Sequence, residues 1–222
     1  MTSGNVGTID TRDREIGDMD SLAKDAEHFL NISPMWTQPE NVDLEAITND
    51  VTPVALVAFR DSHKMTPEDF ETQRNSWIST WKRRTGPGYI PYIWVAGIAK
   101  IAQTPDEARD ALRMLPSFGN VPLFDYEGRG LEFGGMYLLA DRIDDAVAYL
   151  KKSTESCYVS ANPVALTRSF AHLGEALEKT GDTAGACDAY KQVLNRWGNA
   201  KPKSVTAERV KGRVSALKCG RM

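Results

Sequence analysis

The 222-residue chain carries 27 Lys and Arg against 30 Asp and Glu, a formal charge of −3, with 41% hydrophobic and 26% charged residues. That is ordinary for a globular protein with a packed core, and it excludes a disordered polymer, a collagen-like repeat or a cysteine-dense scaffold. No apolar run approaches the roughly 18 residues a membrane helix needs, so no membrane insertion is expected.

Charge is unevenly spread along the chain. Residues 1–50 hold 11 acids against Arg12, Arg14 and Lys24, whereas residues 191–222 hold nine Lys and Arg against Glu208 alone. Residues 1–40 read as an acidic, partly ordered arm with an apolar patch at Phe29, Leu30 and Ile32, and a helix over 20–30 capped by Asp20 or Ser21. Trp36 is the arm's candidate contact residue, because an indole there must find a groove or stay exposed. Residues 41–222 read as one helical domain, beginning with a short helix over 41–50.

The run Val54–Phe59 has the length and branching of a buried strand and equally fits a helix. No second strand signal exists to pair with it, which favours the helix. Thr66, Pro67, Glu68 and Asp69 form a strong helix start, with Thr66 as N-cap and acids at the positive end of the dipole. That helix is expected to run to about Lys82, with Phe70, Trp77 and Trp81 on one stripe, and to stop at Gly86-Pro87-Gly88. Residues 53–83 then make a degenerate first hairpin. A second pair covers about 89–116, with Thr104 repeating the cap chemistry of Thr66, and 116–122 is loop.

Two better hairpins follow, at about 124–157 and 164–198. Gly134, Ala146 and Leu150 fall 40 residues before Gly174, Ala186 and Tyr190, so three small or apolar sites keep one offset. Phe170, Leu173 and Leu177 line one helix of the last hairpin, and Ala186, Tyr190, Val193 and Trp197 the other, with Gly181-Asp182 between. A final helix over 204–219, capped by Ser204, pairs an apolar face (Val205, Val210, Val214, Leu217) with a wet basic one. Lys201, Lys203, Arg209, Lys211, Arg213 and Lys218 make a basic patch.

In these residues the segment 164–197 resembles the tetratricopeptide repeat (TPR), a helix-turn-helix unit of about 34 residues. It carries an aromatic at Phe170, Leu173-Gly174, the Gly181-Asp182 turn, Ala186 and Tyr190, and it departs from the pattern in having Gly198 where a terminal Pro is usual. The copy before it keeps Gly134, Tyr137 and Ala146 but has Gly130 in place of the aromatic. A third copy around Gly97 and Ala108 spaces those two one residue short. The likeness covers about half the chain. The stretch 197–207 is also similar to the end of repeat regions attached to some bacterial serine/threonine kinases, which implies a sensor or docking module from a larger protein.

The resemblance implies an all-α fold: a TPR-like α-solenoid of antiparallel helix pairs closed by a C-terminal capping helix. It also implies a concave groove lined by successive first helices, at Leu131, Gly135 and Leu139 in one copy and Ala171, Glu175 and Lys179 in the next. Relatives that capture a peptide carboxylate use Lys and Asn there, and only Lys179 fits. The expectation is therefore a mostly apolar floor, with Leu131, Leu138 and Leu139, taking an extended or helical segment of another protein.

No catalytic chemistry is legible. His28, His63 and His172 read as surface or half-buried polar residues, and no Ser, Cys or Asp stands at a nucleophile spacing. Gly128, Gly130, Gly134 and Gly135 lack the preceding strand and the Gly-Lys of a phosphate loop. The chain is read as non-catalytic, with no cofactor and no metal. Cys157, Cys187 and Cys219 fit no metal spacing and leave two readings. Either all are buried thiols, or Cys187 and Cys219 are bridged, since antiparallel helices would set them about one turn apart.

Opposed charge at the two ends suggests self-association, the arm (Asp10 to Glu27) meeting the basic cap of another copy or of its own chain. The alternative function is nucleic-acid binding through the basic helix, disfavoured because no aromatic is interleaved with the basic residues. Residues 1–21 lack a signal-peptide pattern, so a cytoplasmic location is expected for the chain as written. A periplasmic or extracellular one follows if it is a piece of a larger protein.

Overall fold

The computed structural model describes residues 14–32, 46, 47, 50–119, 130–155 and 163–220, and among these there are helices and no strand. The fold is thus all-α. Trp36 and Cys157 lie outside the described residues, as does most of the expected helix over 41–50, of which Ala46 and Ile47 are helical. Among the described residues no helix is long and apolar enough to cross a membrane. The chain divides into two compact units. One comprises Arg14 with 18–102 and 109–119, the other 15–17, 103–108 and the described residues from 130 onward.

In the first unit, α1 (Met19–Ile32) occupies the segment read as an arm. Its cap is Asp18, which accepts from the Ser21 amide at 2.9 Å, and not Asp20 or Ser21, which sit inside the first turn. Leu22 and Ala26 are buried against Ala55 and Ala58 of α2 (Thr52–Asp61), so the apolar run at 54–59 is helix. Its other face joins Phe70 of α3 (Pro67–Arg84) and Ile101 in a second cluster with Leu56 and Val57. Helix α3 starts at the expected place, with Thr66 Oγ1 accepting from the Asp69 amide.

Trp77 and Trp81 share a face of α3 because they are four residues apart. Both indole N–H groups donate to one oxygen of Asp50, at 2.7 and 2.9 Å, while the Thr52 amide donates to the other at 2.9 Å. Asp50 is only 4% exposed, so these three donors replace its water. Ile90–Trp94 forms α4 and runs into a π-helical turn at Val95–Ala99, where Gly97 lies against the Trp77 ring. The nearest neighbour of Gly97 is thus on α3, the helix before it, which sets it apart from Gly134 and Gly174; the next helix in the chain is α5 (Pro105–Met114). Leu115–Phe118 is a short 3-10 helix in a stretch expected as loop.

The second unit contains α6 (Gly130–Leu139), α7 (Ile143–Glu155), α8 (Pro163–Lys179), α9 (Thr183–Trp197) and α10 (Val205–Ala216). Helices α6 and α7 pair, α8 and α9 pair, and α8 also packs on α6 and α7. The 40-residue offset recurs as contacts. A Cβ on Gly134 would come under 3.0 Å from Leu150, and one on Gly174 equally close to Tyr190, while Ala146 and Ala186 are both fully buried. The turns match as well. The Asp141 and Arg142 amides donate to Leu138 and Tyr137 carbonyls as those of Gly181 and Asp182 donate to Glu178 and Leu177. Asp141 (φ 62°) and Gly181 (φ 82°) take the same left-handed conformation. Helix α10 is capped by Ser204, which accepts from the Ala207 amide at 2.9 Å.

Replacing Asp50 with Ala orphans two buried indole N–H groups, and urea unfolding should show a loss of about 3 kcal/mol. Asn keeps one acceptor oxygen and should lose less. Equal, negligible losses would mean that the carboxylate does not organise this unit.

Candidate functional site

The residues expected to line a groove sit on neighbouring helices. Leu131, Gly135 and Leu139 on α6 are half-buried, as is Glu175 on α8, while Lys179 is exposed. Among the described residues, a Cβ on Gly135 would meet no heavy atom within 4 Å, so this glycine faces open space there, unlike its neighbour Gly134. Leu138 is 7% exposed and belongs to the core, and Ala171 is fully buried. The accessible groove candidates are therefore fewer than the sequence suggested: Leu131, Gly135 and Leu139 on α6, and Glu175 and Lys179 on α8. Lys179 already has a partner, its Nζ lying 2.6 Å from Asp141 Oδ1.

A second, polar cluster lies where α10 meets α8: the sequence placed Glu175 in the groove and Arg209 and Arg213 in the basic patch, but it missed Glu178 and the pairing of these residues across the two helices. Arg209 contacts Glu175 at 3.0 Å. Arg213 forks onto Glu178, which also accepts from the Tyr190 hydroxyl. His172 Nδ1 stands 3.6 Å from Glu175. The signal was present as spacing: Glu175 and Glu178 are three apart on one helix, Arg209 and Arg213 four apart on another, so each pair shares a face.

Three members of the basic patch are thus engaged within the chain, since Lys211 also pairs with Glu208 at 2.6 Å. Lys201, Lys203 and Lys218 are exposed. Arg209 and Arg213 do not form a purely wet face, because each reaches across to α8. The start of α10 has its own carboxylate. Glu15 accepts from the Ser204 and Thr206 hydroxyls and, at 2.9 Å, from the Thr206 amide, an acid at the positive end of the helix dipole. At the other end of α10, Cys219 is joined to Cys187 of α9 in a disulfide, with Cα atoms 5.7 Å apart. Among the described residues no group of three or more His, Cys, Asp or Glu could hold a metal ion.

The electrostatics follow from these contacts. Burial tends to raise the Glu175 carboxyl, but the nearby His172 ring and the Arg209 guanidinium outweigh it and hold it below the usual range. For Glu178 the Arg213 hydrogen bond dominates, aided by Tyr190, and it too is lowered. Burial and the Glu178 bond push the Tyr190 hydroxyl up.

Folded carboxyls below their unfolded values bind fewer protons than the unfolded chain does. Their stabilisation is therefore present above the ordinary value of 4.5 and is lost as pH falls through the lowered folded values. Urea midpoints should drop between about pH 5 and pH 3 in the native chain and drop less in Glu175→Gln/Glu178→Gln. Parallel pH profiles would contradict this assignment.

No family model matches the chain, no curated protein matches its sequence, and no solved structure matches its fold.

Proposed function

We propose that this chain is a non-catalytic protein-binding module of TPR-like helix pairs, with α6 and α8 offering a groove to an extended or helical segment of a partner. The observation that carries the reading is the recurrence of the same contacts 40 residues apart. Gly134 on Leu150 and Gly174 on Tyr190, with matching turns, make α6 and α8 corresponding helices of successive pairs. Corresponding helices in a stack present a continuous face, which suits segment binding. Gly135, open to space between half-buried Leu131 and Leu139, supports this face as the place of contact.

The nucleic-acid alternative is weakened by the ion pairs of Arg209, Lys211 and Arg213, since a phosphate would have to displace three carboxylates. Self-association of arm and cap is not the favoured reading either, because Glu15 already bonds the start of α10 in its own chain.

A displayed peptide library selected on the full chain tests the reading. Enriched segments should bind at micromolar strength, and Gly135→Arg, which fills open space without touching the core, should weaken them at least about tenfold. No enrichment, or equal binding by the variant, would rule out this face.

A further inference from the structure

The features of α10 form a pattern that the α6 and α8 groove does not explain. The helix buries a short face, Thr206, Ala207 and Val210, and Val205 beside it is 54% exposed. Polar and covalent links also hold it to α8 and α9: Arg209 on Glu175, Arg213 on Glu178, and the Cys187–Cys219 disulfide at its far end. Beneath it lies an acidic strip. Glu178 has a side chain only 10% exposed and a Tyr190 hydroxyl bound to it, and Glu175 is 25% exposed. Carboxylates buried to this degree need cationic donors, and here both donors are supplied by one helix of the same chain.

We propose that α10 is a tethered occupant of an acidic docking strip on α8 and α9, held by the Cys187–Cys219 bond, and that reduction frees the strip for a partner helix bearing two Arg or Lys four residues apart. The required occupant follows from charge and spacing, because a replacement must bring cations to Glu175 and Glu178 as Arg209 and Arg213 do. Both cysteines are half-buried, so a reductant can reach them.

The chemistry balances with a dithiol as reductant. One thiolate of the dithiol attacks one sulfur of the bridge, the Cys187–Cys219 bond breaks, and the freed cysteine takes a proton. The second thiolate then displaces the remaining cysteine, and the dithiol leaves as its own disulfide. In an oxidising compartment the bond stays closed and the strip covered, whereas in a reducing one α10 rests on its ion pairs and short apolar face.

This device rests on the premise of the proposed function that the chain binds protein segments, and it shares with the groove Glu175 alone, the contact partner of Arg209, whereas the groove is tested at Gly135. It can therefore be tested with the chain's own segment. A labelled peptide with the sequence of residues 204–217 is titrated by fluorescence anisotropy into the full chain, oxidised, reduced with dithiothreitol, and as Cys219→Ser without reductant. Hydrogen exchange is followed in the same samples. Exchange over 205–216 should rise at least about tenfold on reduction while 163–197 stays protected, and the peptide should bind the reduced chain and the Cys219→Ser variant at least about tenfold tighter than the oxidised chain.

Glu175→Gln/Glu178→Gln in the chain, or Gln at positions 209 and 213 of the peptide, should abolish the gain. Unchanged exchange, peptide binding indifferent to redox state or to those charges, or loss of protection throughout 163–197 would each overturn the proposal. The last of these would make the bridge a general staple of the unit. A peptide-library result that fails at Gly135 leaves this outcome untouched, and the reverse also holds.

Discussion

Two helices can lie close together only where one of them gives up its side chain. In the second unit this happens twice, Gly134 making room for Leu150 and Gly174 for Tyr190, with a fully buried alanine one turn before each large residue. The spacing from glycine to large side chain is the same in both pairs, so the two pairs meet in the same register. Helix α8 can then meet α6, α7 and α9 at once, which makes it the centre of this unit. Among the described residues, Gly135 of α6 faces open space and the acidic side of α8 meets α10.

This packing was legible because it is written in residue size at a fixed period. The helical reading of 54–59, the caps at Thr66 and Ser204 and the two hairpins all rest on such local signals. The hidden features depend on contacts far apart in sequence, or on turns without their usual residue. Asp50 gives no hint that its carboxylate will collect two indoles from α3. The turns after α2, α6 and α10 use His63, Asp141 and Lys218 at positive φ, whereas the turn after α8 and the end of the 3-10 helix at Leu115–Phe118 have the glycine, Gly181 and Gly119, that announces such a cap. Gly97 shows the opposite error. It looks like the other repeat glycines in sequence, yet the side chain it admits is Trp77 from the preceding helix.

Charge patterning misleads for a related reason. The excess of basic residues at the C-terminal end suggests a solvated face, but charge counts say nothing about which acids lie opposite. Once α10 packs on α8, two arginines become the counter-ions of two partly buried glutamates, and the helix is tied at one end by Glu15 and at the other by a disulfide. The candidate surfaces thus divide by chemistry: a small apolar one around Gly135, and an acidic one that the chain covers itself.

Glycine and large side chain act as coupled pairs, and a double-mutant cycle at positions 174 and 190 tests this directly. Gly174→Ala in the native background should cost about 1–3 kcal/mol in chemical unfolding, because the added methyl meets the Tyr190 ring. In a Tyr190→Ala background the ring is gone, and the same substitution should be neutral or stabilise by up to about 1 kcal/mol through helix propensity. An equal cost in both backgrounds would contradict the close approach of α8 and α9 on which the repeat and both candidate surfaces depend.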